Sequence, residues 1–275
     1  MTANKPDGVV LVGIDESETS LTPVRWAAEE ARRRDCRLEL FHAGIGENLD
    51  VPAKVAERKA HELFGRAHRW LSRAAQVAED AAPGVRTQLV ARVGFAADLL
   101  IELSRSVSLI VVGSHGLGGL RGAAIGSVAL RVAASASCPV VVVRGRAVPE
   151  GAVVVGADGD ESVLEFAFDA AAGRQVPLVA VHAWHAALFD EHGRADAEER
   201  AVREQVAVWA RKYPSVEVSA LAARERSAAR ALTAVEGAQL IVIGSRGRGP
   251  VAGGLLGSTG NRLLAHSACP VAVVH

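Results

Sequence analysis

The sequence predicts two tandem α/β domains, each a five-stranded parallel sheet with helices on both faces. Three observations carry this: the chain repeats itself, strand-like runs alternate with helical patterns in both halves, and the apolar content suits buried parallel strands. The repeat is plainest in two segments. LIVVGSHGLGGLRGAAIGSVALRVAASASCPVVVV starts at Leu109, and LIVIGSRGRGPVAGGLLGSTGNRLLAHSACPVAVV starts at Leu240. They align without a gap and are identical at roughly half of their positions. The openings also correspond, VVLVGIDES ending at Ser17 against AVVVGADGD ending at Asp160, and FHA at Phe41–Ala43 matches VHA at Val181–Ala183. Self-similarity at this spacing marks a duplicated domain.

In the first half, strands are expected near Val9–Ile14, Leu38–His42, Thr87–Ala91, Leu109–Gly113 and Val140–Val143. Helices are expected near Thr19–Arg34, Lys54–Ala78, Ala96–Ser104 and Ser127–Ala136. The second half repeats the order, with a shorter second helix near Ala195–Lys212. Strands alternating with helices in this way are the signature of βαβ units with right-handed crossovers. The domains are expected over residues 1–146 and 151–275, joined by a short charged stretch, Arg144–Gly151, that contains Pro149.

Composition agrees. Hydrophobic residues make up 49% of the 275 and aromatics only 4%, so the core must be built from Ala, Val and Leu. The 31 basic residues balance 31 acidic ones, which argues against a dedicated nucleic-acid binder. No apolar run is long enough to span a membrane, and the N-terminus lacks the pattern of a signal peptide. Cys36, Cys138 and Cys269 lie far apart and lack metal-ligand spacing. A reduced, cytoplasmic protein is the expectation.

Sheets of this kind take ligands outside the carboxyl ends of their strands. There the sequence places its most distinctive pattern. Gly113, Gly116, Gly126 and Ser127 form G-x2-G-x9-G-[ST], and Gly244, Gly247, Gly257 and Ser258 form it again. A helix N-terminus leaves unpaired N–H groups and a partial positive charge, which suits a phosphate. Glycine at 126 and 257 lets the backbone approach an anion closely. Ser127 and Ser258 read as N-caps or as hydroxyl donors to a phosphate oxygen. Gly113, Gly116, Gly244 and Gly247 allow a tight turn off the strand and leave room for a ribose. The bland reading is a strand-to-helix connection kept by duplication. Neither loop contains a lysine, and neither matches a Walker A or a G-x-G-x-x-G fingerprint. Charge neutralisation is therefore expected from backbone groups, from Arg121, Arg246 or Arg248, or from Mg²⁺.

Asp15 and Asp158 end the first strand of each half, placed to accept from an adenine amino group or a ribose hydroxyl; a turn or N-cap role is the alternative. His42 and His182 read as packed histidines with one backbone hydrogen bond, against a role at a base pocket. His115 lies within the first loop, with Arg246 at its place in the second. His61 and His68 read as part of a solvated helix face. Cys138 and Cys269, each before a proline, read as small buried side chains. Trp26, Trp70, Trp184 and Trp209 read as core or packing residues.

VGID, the G-x2-G-x9-G-S loop and the closing Cys-Pro-Val-Val strand together resemble the universal stress protein family, in its ATP-binding branch. The resemblance covers nearly the whole chain as two domains. It implies a Rossmann-like sheet of the adenine nucleotide alpha hydrolase type and one ATP per domain, with Mg²⁺. It implies that Asp15 and Asp158 meet the adenine, with Gly13 and Gly156 beneath and Ala43 and Ala183 offering backbone contacts. It further implies that Gly113, Gly116, Gly126, Ser127 and Val128 hold ribose and phosphates in the first domain, and Gly244, Gly247, Gly257, Ser258 and Thr259 in the second. It also implies pairing through the last strand, Val140–Val143 against Val271–Val274, which the linker lets the two halves supply to each other; a homodimer is a further expectation, as is a protein partner that reads a nucleotide-ordered loop at Ser114–Ile125 or Ser245–Leu256. The implied role is regulation of stress response or growth, with weak ATP hydrolysis at most. Two departures stand out. Asp-x-Ser is present at Asp15 but not at Asp158, where Asp160 adds a carboxylate that would repel a phosphate unless Mg²⁺ is present, and Ser162 is the candidate substitute. Val128 also stands where the second domain has Thr259. The rival readings are an ATP pyrophosphatase or nucleotidyl transferase, whose Ser-Gly-Gly-x-Asp-Ser or His-x-Gly-His motifs are absent, and a nucleotide-free dimerisation module.

Overall fold

A computed structural model describes residues 8–44, 53–115, 125–145, 148–157, 160–184, 194–245 and 256–275, with side chains from residue 64 onward in the helix that begins at 53 and from residue 195 in the one that begins at 194. The chain forms two compact units, Met1–Val143 and Arg144–His275. In the first unit, β1 (Val9–Ile14), α1 (Leu21–Arg33), β2 (Arg37–Gly44), α2 (Ala53–Ala81) and β3 (Thr87–Val93) are followed by α3 (Ala96–Leu103), β4 (Leu109–Gly113), α4 (Ser127–Ser135) and β5 (Val140–Val143). The strand order is β3-β2-β1-β4-β5, with every pair parallel.

The second unit has β6 (Val153–Gly156), α5 (Glu161–Arg174), β7 (Leu178–Trp184), α6 (Arg194–Lys212) and β8 (Val218–Arg224). It closes with α7 (Ala228–Thr233), β9 (Leu240–Gly244), α8 (Ser258–His266) and β10 (Val271–Val274). Its order is β8-β7-β6-β9-β10, again all parallel. The expected alternation of strands and helices is therefore present in both halves.

The strands behave as their composition dictates. Val10, Leu11, Val12, Ile110 and Val111 are fully buried, as unbroken apolar runs must be when both faces of a sheet are covered. Contacts of α1 and α2 with each other and of α3 with α4 place the two pairs on separate faces. Two glycines make close packing possible. A Cβ at Gly13 would stand 3.3 Å from Leu100 of α3, and one at Gly113 would stand 3.3 Å from Pro23 of α1.

Element boundaries moved where side chains act on the backbone. The first helix does not begin at Thr19: a 3-10 turn occupies Glu18–Ser20 and the α-helix starts at Leu21. Ser20 is the cause, since its hydroxyl donates to the carbonyls of Ser17 (2.7 Å) and Asp15 (3.1 Å) and tightens the turn. β2 and β3 each run two residues further than the apolar pattern suggests, held by their mutual register to Gly44 and Val93.

Both ends of the stretch Arg144–Gly151 are held by close contacts within the second unit. Gly145 adopts φ +58°, and a Cβ there would lie 1.9 Å from the carbonyl oxygen of Ala268. A Cβ at Gly151 would lie 1.8 Å from the carbonyl oxygen of Gly237. The Gln239 amide donates to the carbonyls of Pro149 (3.1 Å) and Gly151 (2.6 Å), and Arg144 donates to that of Leu264.

Cys138 and Cys269 are buried, as expected of small side chains at a strand start. Burial pushes the Cys138 thiol up to about 12 and raises that of Cys269. Both stay protonated at pH 8, and a protonated, buried thiol is a poor nucleophile. Iodoacetamide at pH 8 is thus expected to leave both unmodified in the folded protein and to alkylate both in denaturant. Mass spectrometry of the peptides checks this.

Candidate functional site

At the carboxyl edge of the first sheet, β2 continues beyond its last β1 partner. Ile14 pairs with His42, while Ala43 and Gly44 go on to pair with Arg92 and Val93. The result is a step beside Asp15, with half-buried Ala43 on it. The second unit has the same step: β6 ends at Gly156 opposite Val181, and β7 runs on through Ala183 to Trp184.

Asp15 is half-buried and accepts from the amide (3.0 Å) and hydroxyl (2.5 Å) of Ser17. The turn reading of this residue therefore has a concrete partner, and Oδ1 is the oxygen engaged. Asp158 lies outside the described residues; the strands that precede the two aspartates share their register, Val10 pairing with Leu109 and Val153 with Leu240. Asp160, expected to be an intruding carboxylate, is the N-cap of α5. It accepts from the amide (3.0 Å) and hydroxyl (2.7 Å) of Ser162. The Asp-x-Ser unit of the second domain is thus Asp160–Ser162, two residues further on, and its charge faces the positive end of a helix. Asp160→Ala is expected to cost about 1 kcal/mol of stability, and Asp160→Asn much less. Urea unfolding measures both.

Beyond β4, Ser114 anchors the glycine loop. Its amide donates to the carbonyl of Val143 (3.1 Å), and its own carbonyl accepts from the amide of Gly126 (2.8 Å). Its hydroxyl and Nδ1 of His115 lie 2.9 Å apart. The start and end of the loop are therefore tied together. In the second domain the Ser245 amide donates to Val274 (2.7 Å), and the Asn261 side-chain amide donates to the Leu256 carbonyl (2.7 Å).

The helix starts differ from expectation in one respect. Gly126 and Gly257 are the N-caps of α4 and α8, each accepting the first helical bond at 3.0 Å, from Leu130 and Asn261 respectively. Ser127 and Ser258 are the first helical residues rather than the caps, and both are exposed. A glycine cap carries no side-chain acceptor, so it leaves the first-turn N–H groups of each helix to another acceptor. Both caps have negative φ, −64° and −60°, so conformation does not call for glycine there. Val128 is exposed and Thr259 half-buried in the same first turns.

Of the other residues singled out, Gly13 and Gly156 sit within their strands; close packing on Leu100 accounts for Gly13, whereas a Cβ at Gly156 would make only ordinary contacts, 3.8 Å from Leu232 and Ile243. Gly113 and Gly244 end β4 and β9. Gly116, Gly247, Arg121, Arg246 and Arg248 lie outside the described residues. His42 is buried, with Nδ1 3.2 Å from the carbonyl of Ile14, in keeping with a packed histidine. Its Nε2 is 4.0 Å from Glu16, whereas buried His182 has Glu198 of α6 at 3.5 Å. The repeat could not reveal these acidic neighbours, because the two domains draw them from non-equivalent elements. Among the described residues, no group of three His, Cys, Asp or Glu is arranged to hold a metal ion.

Two parallel doubly wound sheets, each with a glycine-capped helix after its fourth strand, define a tandem Rossmann-like α/β protein. Comparison with known proteins makes this specific. The chain belongs to the universal stress protein family, whose model matches residues 8–144 and again 152–275. A universal stress protein of Mycobacterium tuberculosis is 34% identical over 286 residues, covering 96% of this chain and 95% of its own. One from Mycobacterium bovis is 31% identical over 307 residues, covering 99% and 96%. The crystal structure of a universal stress protein from Archaeoglobus fulgidus shares the fold, with a TM-score of 0.73 at 22% identity over 97% of this chain and 95% of that one. Among the described residues, no helix is long and apolar enough to cross a membrane.

Proposed function

We propose that this universal stress protein binds ATP, one molecule per domain, and acts as a cytoplasmic, nucleotide-dependent regulator of stress response or growth with weak hydrolysis at most. The observation that carries the reading is the pair of glycine-capped helices, α4 and α8, each preceded by G-x2-G-x9-G-[ST] at the carboxyl edge. The residues present fit a triphosphate. First-turn N–H groups without a capping side chain are anion donors, and exposed Ser127, Ser258 and the adjoining Thr259 add hydroxyls. The step at Ala43, next to Asp15, and its counterpart at Ala183 fit the base. Mg²⁺ would enter with the phosphates and offset their charge. The second domain offers one more hydroxyl than the first, which has Val128 at the place of Thr259. A homodimer, and a protein partner that responds to the bound nucleotide, complete the reading.

The purified protein, denatured with acid and its supernatant run on an ion-exchange column, is expected to release about two ATP per chain, as saturation of two helix-terminus sites requires. Stoichiometric ADP with steady turnover of added ATP would favour an enzyme instead. Absence of nucleotide, with no binding after its addition, would remove the proposal. Light scattering of the same sample tests the dimer.

A further inference from the structure

The two domains differ at the edge of the sheet opposite the glycine loops. In the first, α3 and α4 are closed against each other by two bonds. Arg131 pairs with Asp98 at 2.5 Å, and the Ser137 amide donates to the Ser104 hydroxyl at 2.8 Å. In the second, neither closure exists in the same form. Leu100 and Leu232 are equivalent buried residues of α3 and α7, which places Arg230 at the position of Asp98. The gapless repeat places Arg262 at the position of Arg131. Two positions that touch in one domain as an ion pair are both arginine in the other. The chain from Leu232 to Leu240 is also one residue shorter than from Leu100 to Leu109, and α7 stops at Thr233. The position of Ser104 falls on Glu236 counted from Leu232, or on Val235 counted back from Leu240, and neither side chain carries the hydroxyl that accepts from Ser137 in the first domain.

What remains is a cavity of about 670 Å³ between α7 and α8, at the amino ends of β9 and β10. Its floor includes buried Ile241, Leu263 and Cys269. Its rim carries exposed Arg230, Arg262 and His266, and among the described lining residues Glu236 is the only acid. Such a volume accommodates a small organic ligand. Like charges placed within reach of each other favour a bound anion between them, and arginine pairs well with carboxylate. The apolar floor favours a hydrocarbon chain. We infer that this cavity is a binding site of the second domain for an amphipathic carboxylate, with the chain on the floor and the head group between Arg230 and Arg262. The site is distinct from the glycine loops and does not depend on nucleotide.

Titration calorimetry of the full-length protein with dodecanoate, below its micellar concentration, tests this. One dodecanoate per chain is expected. Arg230→Asp, which rebuilds the Asp–Arg pair of the first domain, is expected to weaken binding at least ~10-fold, the loss of one charge-assisted contact. Its melting temperature should be no lower than that of the parent protein. Arg262→Gln serves as a second variant and should weaken binding likewise. The inference is overturned if dodecanoate does not bind, if neither variant weakens it, or if inorganic phosphate alone binds as tightly.

Discussion

Replacing both Gly126 and Gly257 by aspartate is expected to abolish stoichiometric ATP binding while leaving the fold as stable as before, or slightly more so. The two effects separate because of where these residues sit. Each is the N-cap of its helix, and neither supplies a side-chain acceptor. Aspartate is among the best N-caps and gains about 1 kcal/mol over residues that cannot cap, though only a few tenths over glycine. Its backbone demands are met, since the caps have φ of −64° and −60°. The same carboxylate would occupy the N–H groups proposed for the phosphates and would repel a polyanion at that point. We expect an affinity loss of at least ~100-fold at each site, about 3 kcal/mol, read by calorimetry with Mg-ATP. The single variants should each leave one ATP per chain in the acid-release assay. Retention of two ATP by the double variant would show that these helix ends do not hold the nucleotide.

A second large effect is expected from a methyl group. Gly151→Ala should lower the stability of the second domain by about 3 kcal/mol, the upper end for overpacking. That corresponds to a fall in melting temperature of roughly 10 °C for a domain of this size. The added Cβ would lie 1.8 Å from the carbonyl oxygen of Gly237, and backbone cannot move aside as a flexible side chain can. Gly173→Ala gives the opposite sign. This glycine is exposed within α5, and its notional Cβ meets nothing within 4 Å. A gain of about 0.5–1 kcal/mol is expected, from helix propensity and reduced unfolded-chain entropy. Equal effects of the two substitutions in thermal unfolding would contradict this account.

The strands and the helix starts at the glycine loops were legible in the sequence because their signals are local and uninterrupted. β1, β4 and β5 occupy the apolar runs that announce them. What escaped was decided by side chains acting across short distances. Ser20 reshapes the entry to α1 through carbonyls three and five residues back. Asp160 looked like a charge near a phosphate because the first residue of α5 cannot be fixed by periodicity alone; once the helix begins at Glu161, the same charge becomes a cap. The stretch Arg144–Gly151 looked like a connector by composition, and its glycines are instead points of close backbone approach. The glutamates beside His42 and His182 come from a turn in one domain and from a helix in the other. Duplication had preserved the need for a neighbour but not its address.

The tie between Ser114 and Gly126 has a consequence for how such a protein can change over generations. The 2.8 Å bond fixes both ends of the first glycine loop within the domain itself. The span between the two ends is therefore set by the strand end and the helix start, and not by the residues that connect them. Each doubling of a closed loop costs only about 0.6 kcal/mol of closure entropy. Residues can therefore be exchanged between the glycines of the motif without disturbing the strand end or the helix start.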